Sequence, residues 1–296
     1  MYVITGATGN TGSRIARELL REGRPVRVIA RGAGRLGDLV ELGAQPAGGD
    51  LADAAFLAEA FRGATAVYAM IPPNYAAVDF RAHQNTIASA LARAVAAAGV
   101  THVVTLSSVG AHLTQGAGVV QGLHDLEQTF NALPGVHVLH LRPTYFLENF
   151  LGQAGTVKAL GVMGSPLRPD VRFPVVHTRD IAAVAARRLA ELSFTGKGVE
   201  YILGAEEIDF RDAARVLGGA IGRPELAYVE FPFADARRAM VGEWGFSPSA
   251  ADAFLEFQQA LNDGRITEEA RRTPENTTAT RLEHFAPEFA AAYSGS

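Results

Sequence analysis

The stretch YVITGATGNTG, residues 2 to 12, decides the fold class of this chain. Its first four residues are apolar or β-branched and predict a short buried strand. Glycines then recur at every third position, at Gly6, Gly9 and Gly12, and good helix formers continue to Arg21. The glycines therefore lie in a turn between a first strand and a first helix, which is the context that gives such spacing a meaning.

Each glycine has its own task in this turn. Gly6 would make the tight turn, Gly9 would let a pyrophosphate approach the backbone, and Gly12 would let the helix pack close to the strand. Free N–H groups and the positive end of the helix dipole favour a diphosphate there. An ordinary glycine-containing turn is the alternative. We predict a dinucleotide site formed by Gly6, Ala7, Thr8, Gly9, Asn10, Thr11 and Gly12.

Short β-branched runs alternate with longer helix-forming segments through the N-terminal half, as in βαβ units. The runs are apolar on both faces, which favours a parallel sheet covered by helices on both sides. The predicted helices are 11–21, 54–61, 80–98 and 122–133, each followed by a glycine. The predicted strands are 2–5, 25–30, 44–47, 66–71, 102–107 and 136–141.

The fold class is therefore α/β, a Rossmann-type doubly wound parallel sheet. After Leu141 the alternation loosens and prolines divide the chain into short pieces. We predict a dinucleotide-binding domain over residues 1–150 and a smaller substrate lobe over 151–296, partly interleaved with it. One further helix is expected from Pro248 to Leu261, and the tail beyond Gly264 is polar with weak periodicity.

Composition excludes several classes of protein. The 296 residues are 48% hydrophobic and 20% charged with a net charge of -4, which fits a globular chain. The basic residues do not form a stripe of the kind that binds nucleic acid. The sequence also contains no run of about 18 apolar residues, the length that a membrane-spanning helix needs. Cysteine is absent, so thiolate chemistry is excluded. Without a basic leader segment, a cytoplasmic location is expected.

The end of the second predicted strand indicates which dinucleotide binds. Arg31 stands where NAD-selective proteins usually carry an acidic residue. Helped by Arg35, it would pair with the 2′-phosphate of NADP(H); a solvated surface arginine is the alternative, and NAD(H) stays a second candidate. After the third strand, Asp50 and Leu51 would face the adenine, although Asp50 could equally cap the next helix.

Together these segments resemble the NmrA-like branch of the atypical short-chain dehydrogenases, which includes NADPH-dependent quinone reductases. The resemblance covers about two thirds of the chain. The matching segments are residues 2–12, Thr105-Leu-Ser-Ser108, His124-Asp-Leu-Glu127, Leu141-Arg-Pro-Thr-Tyr-Phe-Leu-Glu-Asn-Phe150 and Thr178-Arg-Asp-Ile-Ala182.

The resemblance implies a substrate cleft between two lobes, with the nicotinamide near the ends of the fourth and fifth strands. It places Ala69, Met70 and Ile71 beneath the cofactor. It also places two short segments beside the nicotinamide, namely Ser107 with Ser108, and Pro143 with Thr144.

The sequence departs from a classical short-chain dehydrogenase in its proton donor. That class uses a Tyr-x-x-x-Lys pair, but the only lysines, Lys158 and Lys197, follow Ala154 and Ser193 at that spacing. His124 is the one evident donor on the equivalent helix; a structural histidine is the alternative. A quinone would tolerate the loss, because reduction leaves its charge on a stabilised phenolate oxygen.

A flat aromatic pocket is the predicted substrate site, although large residues at these spacings also suit an ordinary core. Its candidates are Tyr75, His124, Tyr145, Phe146 and Asn149. No histidine cluster has metal-ligand spacing, so no metal site is predicted. We expect an oxidoreductase of a small electron-poor molecule such as a quinone. The alternative is a non-catalytic NADP(H) sensor that signals to a protein partner.

Overall fold

The computed structural model describes residues 1–295. No helix within that range is both long and apolar enough to cross a membrane. The strands are β1 (Tyr2–Ile4), β2 (Val26–Ala30), β3 (Gln45–Gly48), β4 (Ala66–Ala69), β5 (His102–Leu106), β6 (His137–Pro143), β7 (Tyr145–Phe146), β8 (Met163–Ser165), β9 (Phe173–Val176), β10 (Lys197–Ile202), β11 (Glu206–Ile208) and β12 (Tyr228–Glu230).

The α-helices separate and cover these strands. They are α1 (Asn10–Arg21), α2 (Gly37–Glu41), α3 (Ala54–Phe61), α4 (Phe80–Ala98), α5 (Gln121–Asn131), α6 (Gln153–Leu160), α7 (Thr178–Glu191), α8 (Phe210–Ala220), α9 (Phe233–Gly242), α10 (Pro248–Asn262) and α11 (Leu282–Ser294).

Seven parallel strands form the central sheet in the order β10-β6-β5-β4-β1-β2-β3. The six strands predicted from the sequence all belong to it, which confirms the doubly wound α/β class. Strand order reverses between β1 and β4, the two neighbours from which the sheet extends in opposite directions. In open sheets of this kind, ligands bind in the crevice beyond the carboxyl ends of the strands at such a point.

Both faces of the sheet are covered, which is why its strands are apolar throughout. Val3 points into a core formed with α3, α4 and α5. Its neighbour Ile4 points into the opposite core, built against α1 and α7. Successive strand side chains alternate between faces, so each strand contributes to both cores.

A third core lies in the C-terminal half, where three aromatic side chains, Phe150, Phe173 and Phe210, are buried together. The small sheet β11-β9-β7 and the pair β12-β8 surround it with helices α6, α8 and α11. The tail beyond Gly264, for which the sequence predicts only weak periodicity, contains helix α11, whose Phe285 and Phe289 are buried.

The two halves interleave. Strand β10 pairs with β6 at the edge of the large sheet, and α7 packs beside α1, although both elements come from the predicted second lobe. A cut at residue 150 would therefore leave the large sheet without its edge strand. We therefore propose a dinucleotide domain and a substrate lobe. In this division the chain returns once from the lobe to the first domain, where it forms α7 and β10.

A buried histidine connects the second lobe to its C-terminal helix. His177 is fully buried, with Nδ1 3.0 Å from Glu148 Oε1 and Nε2 2.9 Å from Glu288 Oε1 on α11. Nδ1 also lies 3.1 Å from the amide nitrogen of Arg179. Glu148, His177 and Glu288 are close enough to one another to hold a metal ion. Each ring nitrogen of His177 already contacts one of the two carboxylates, however, so ion pairing accounts for the arrangement.

Titration of His177 changes the partner of Nδ1. Burial disfavours the charged ring, but the hydrogen bonds and charges of Glu148 and Glu288 outweigh it and raise the pKa of His177. When protonated, Nδ1 donates to Glu148; when neutral, it accepts from the amide of Arg179. The pKa of Glu148 is lowered, because His177 and Thr178 outweigh its burial.

We expect this cluster to make stability depend on pH. A raised folded-state pKa means that the stabilisation by His177 is complete below its unfolded value of about 6.5 and is lost as pH rises through the folded value. The thermal midpoint of the wild type should therefore fall above neutral pH more steeply than that of His177→Gln. Parallel curves from calorimetry across this range would contradict the assignment.

Candidate functional site

The glycine turn has the backbone geometry that the sequence predicts. Gly6 adopts φ +64°, and a Cβ there would lie 2.5 Å from the sulfur of Met70. A Cβ at Gly12 would overlap the carbonyl oxygen of Gly6. Both positions therefore need glycine, and the start of α1 lies directly against the end of β1.

Helix α1 begins without a cap. Its N-cap residue is Gly9, no side chain accepts from its first turn, and that turn carries no acidic residue. Within residues 1–295, the amides of Asn10, Thr11 and Gly12 meet no acceptor. Three unpaired N–H groups and the positive end of a helix dipole form an anion site, and the glycines leave room for a diphosphate to reach it.

Neighbouring residues hold this turn against β4. The hydroxyl of Thr5 donates to the Tyr68 carbonyl at 3.0 Å and accepts from the Met70 amide at 3.0 Å. Tyr68 in turn donates to the hydroxyl of Thr11 at 3.1 Å. The segment Ala69, Met70 and Ile71 therefore lies beside the glycine turn, where a cofactor bound across the switch point would pass over it.

Arg31 directly follows β2, whose Ile29 carbonyl accepts from the amide of Ala7 in the glycine turn at 3.3 Å. The side chains of Arg31 and Arg35 are exposed, and neither forms an ion pair or hydrogen bond with the described part of the chain. A free guanidinium thus stands at the strand end where the ribose of a dinucleotide is expected. Its contact with a 2′-phosphate stays a prediction.

The structure corrects one reading of Asp50. Helix α3 is capped by Asp53, whose carboxylate accepts from the amides of Ala55 and Phe56, both at 3.0 Å. Asp50 instead accepts from the amide of Ala52 at 2.9 Å, so the alternative of Asp50 as the helix cap is wrong. Leu51 is buried in the core beneath this segment. Contact of Asp50 with adenine stays a prediction.

The two serines that follow β5 differ. Ser107 is buried and donates to Glu127 on α5 at 2.5 Å. Ser108 is partly exposed, and no described residue bonds to its hydroxyl. Ser107 therefore has its proton committed to a carboxylate, whereas Ser108 can turn towards a ligand. Near them, the hydroxyl of Thr144 points to the Ile202 carbonyl at 3.5 Å, and the Pro143 carbonyl accepts from the Val109 amide.

Glu127 belongs to a buried ion pair that the sequence reading did not find. Arg142 on β6 donates from Nε and Nη2 to the two carboxylate oxygens of Glu127, at 2.9 and 2.6 Å. Only 2% of Glu127 and 8% of Arg142 is exposed. Burial opposes the charge of Arg142, but the hydrogen bonds and charge of Glu127 outweigh it and raise its pKa. Arg142 therefore keeps its charge although it is buried.

The ion pair extends to the surface. Arg142 Nη1 donates to the hydroxyl of Tyr201 on β10 at 2.9 Å, and Tyr201 donates to Glu269 at 2.8 Å. This chain of contacts connects β5, α5, β6, β10 and the segment before α11. On α5, the buried Glu127 therefore has a structural role.

His124 lies on the first part of α5. Its Nδ1 donates to the carbonyl oxygen of Ala111 at 2.8 Å, so Nδ1 carries a hydrogen. Its Nε2 has no partner within residues 1–295 and is not enclosed. The ring is therefore held by one nitrogen and available at the other, an arrangement compatible with both the structural and the catalytic reading. A catalytic role for His124 stays a prediction.

Among the residues predicted for the aromatic pocket, the two tyrosines differ from Phe146 and Asn149 in their surroundings. Tyr75 stacks on Phe246, with ring centroids 4.4 Å apart, and Tyr145 packs on Phe173 at 5.0 Å. Phe146 faces the opposite core, next to Met70. Asn149 is exposed on the turn after β7. Tyr75 and Tyr145 thus combine a packed ring with a hydroxyl that has no partner, whereas Phe146 belongs mainly to the core.

Comparison with known proteins identifies the family. The model of the NmrA-like family matches residues 2–286. The chain belongs to the NmrA-like family. Among curated proteins, it is 29% identical over 256 residues to the NAD(P)H azoreductase of Xenophilus azovorans, covering 86% of this chain and 85% of that relative.

Solved structures of the same fold include two reductases. The NADPH-dependent quinone oxidoreductase QOR2 of Escherichia coli, in complex with NADPH, superposes with a TM-score of 0.81 over 97% of this chain and 99% of its own, at 22% identity. The triphenylmethane reductase of Citrobacter sp., in complex with NADP(H), gives 0.78 over 98% and 100%, at 18% identity. At these identities the similarity establishes the fold of the NmrA-like chain.

A local signal could have found the ion pair. Arg142 is the one Arg, Lys, Asp or Glu in the strand from His137 to Pro143, and Glu127 lies on α5 between Leu126 and Phe130, both buried. A charge in a buried strand and an opposite charge on the preceding helix require each other, because neither can be desolvated alone. The sequence does not show, however, how close Arg142 and Glu127 lie in space.

We expect Glu127→Gln to lower the free energy of unfolding by about 3 to 5 kcal/mol, because it leaves the charge of Arg142 buried without a counter-charge. Asp252→Asn is the control, since it removes a carboxylate that pairs bidentately with Arg237 on the surface. Urea unfolding should show little change for this control. Equal losses in both variants would refute the importance of burial.

Proposed function

We propose that this chain is an NADP(H)-dependent reductase that delivers hydride to a small electron-poor molecule, with quinones and azo compounds as the leading classes. The observation that carries the proposal is the uncapped N-terminus of α1 at the switch point of the sheet, with the unpaired Arg31 at the end of the neighbouring strand. The azoreductase and quinone reductase named above support the choice of substrates.

The residues present fit such a cofactor. The amides of residues 10–12 would hold the diphosphate, Arg31 the 2′-phosphate, and Ser108 with Thr144 would border the nicotinamide. When bound, the reduced cofactor supplies two electrons and a proton together as hydride. The protein contributes binding, orientation and the exclusion of water around the reacting atoms.

The arrangement on α5 favours electron-poor substrates over ordinary alcohols and ketones. The hydroxyl of Ser107 donates to Glu127 and is not available to polarise a carbonyl group. Glu127 itself is held by Arg142, so neither residue can exchange a proton readily. A substrate that accepts hydride without a strong acid suits this site, because the charge it acquires is delocalised.

Replacing Arg31 tests the cofactor preference. We expect Arg31→Ala to weaken NADPH binding by about 10- to 100-fold and to leave NADH binding almost unchanged, because the lost contact is a charge-assisted hydrogen bond to the 2′-phosphate. Titration followed by fluorescence of the reduced cofactor measures both. Arg93→Ala is the control, since Arg93 is an exposed arginine on α4 away from the glycine turn. Equal losses for both cofactors in Arg31→Ala would disprove the selectivity.

Turnover tests the enzymatic part. We expect the purified protein to oxidise NADPH, measured by its absorbance, when a quinone or an azo dye is supplied and not in their absence. Tight NADPH binding without oxidation by any member of such a panel would reject the reductase. That outcome would favour the second candidate, an NADP(H)-sensing regulator.

A further inference from the structure

Two tyrosines have hydroxyl groups that no residue in the described range 1–295 uses. Tyr75 lies in the connection between β4 and α4, and Tyr145 begins β7, one residue after the end of β6. Neither hydroxyl is among the fully enclosed polar atoms without a partner. Each hydroxyl oxygen is therefore at least partly open to solvent.

Packing holds both rings in place. The ring of Tyr145 lies 5.6 Å from Phe150, 5.0 Å from Phe173 and 6.5 Å from Phe210, measured between centroids. Tyr75 stacks on Phe246 with an interplanar angle of 9°. A fixed ring with a free hydroxyl is a preorganised donor, because no further rotamer freedom is lost when a ligand binds.

Both hydroxyls keep their protons near neutral pH. Burial raises the pKa of Tyr75 and of Tyr145, and an ionised Tyr228 or Tyr75 would raise that of Tyr145 further by repulsion. Two neutral phenol donors thus come from different elements, the connection between β4 and α4 and the strand β7.

We infer that the hydroxyl of Tyr145, assisted by that of Tyr75, donates a hydrogen bond to the substrate atom on which negative charge develops during reduction. The inference rests on the proposed function and names the group that replaces the missing Tyr-x-x-x-Lys pair. Tyr145 keeps its proton throughout and stabilises the anion electrostatically.

The electron balance defines the atom that Tyr145 would contact. A quinone that accepts a hydride gains two electrons and one hydrogen while the dinucleotide is oxidised, and one oxygen is left negatively charged. An azo compound is left with the charge on nitrogen. Water supplies the proton that later neutralises this anion. Both classes carry a lone pair that accepts the hydrogen bond as its charge grows.

A cationic acceptor has no such requirement. A triarylmethyl cation becomes neutral when it accepts a hydride, so no anion forms and no donor is needed. Tyr145 should therefore matter for quinones and azo compounds but not for this dye class. Comparison of the two classes on one variant separates a donor role from a merely structural one.

The experiment measures kcat of Tyr145→Phe with a quinone and with a triarylmethyl cation dye, both with NADPH. We expect a loss of about 100- to 1000-fold for the quinone and an unchanged rate for the dye. Tyr228→Phe is the control, because its ring packs in the same aromatic cluster while its hydroxyl already bonds to Ser165 and Leu167. The control should affect both substrates equally.

A binding measurement gives a readout that is independent of turnover. Ionised 4-nitrophenol, a stable phenolate, should bind the cofactor-free protein with a shift of its absorbance band, and Tyr145→Phe should weaken its binding at least about tenfold. The variant Tyr228→Phe should bind it as the wild type does.

Equal losses on both substrates, or unchanged phenolate binding in Tyr145→Phe, would overturn the inference. A wild type that reduces neither substrate would reject the proposed function instead. In that case, or if the wild type reduces only the quinone, the phenolate titration decides the role of Tyr145.

Discussion

The buried ion pair between Glu127 and Arg142 is the interaction on which the rest of the site depends. Its two charges lie between α5 and β6, and each is stable there only because the other is present. Ser107 donates to the same carboxylate, and Tyr201 extends the contact to the segment before α11. One pair thus fixes the carboxyl end of β5, the helix α5 and the junction between the two lobes.

This use of α5 limits the chemistry that the chain can perform. In classical short-chain dehydrogenases the same helix carries a tyrosine and a lysine that exchange a proton with the substrate. Here the buried face of the helix is occupied by a carboxylate that neutralises Arg142. The donor proposed above comes from elsewhere, from Tyr145 in β7 with the assistance of Tyr75 in the connection between β4 and α4.

Membership of the NmrA-like family and the structure of α5 both favour substrates that are easily reduced. The relatives named above are a quinone oxidoreductase, an azoreductase and a triphenylmethane reductase, and all three substrate classes accept electrons readily. In the proposed function, backbone amides at the start of α1 would bind the nucleotide, and the second lobe would supply the substrate side of the site, where packing on Phe173 and Phe210 sets the position of Tyr145.

The sequence by itself determined the class of the fold and the place of the dinucleotide loop. Local signals were enough for this, because glycine spacing, strand-length apolar runs and helix-ending glycines act within a few residues. They found six strands of the large sheet and the turn of Gly6 and Gly12. They missed β10 and α11, whose partners lie far away in the chain and whose own patterns are weak.

Only the tertiary structure decided how the polar groups of the site are paired. Arg142 and Glu127 are 15 residues apart, and Tyr201 is 59 residues from Arg142, so no local pattern fixes which of them meet. The role of Asp50 was likewise open between adenine binding and the cap of α3, and only the backbone geometry shows that the cap is Asp53. Which charges pair and which hydroxyls are exposed depends on how elements that are distant in the sequence pack together. Local sequence patterns do not determine this packing.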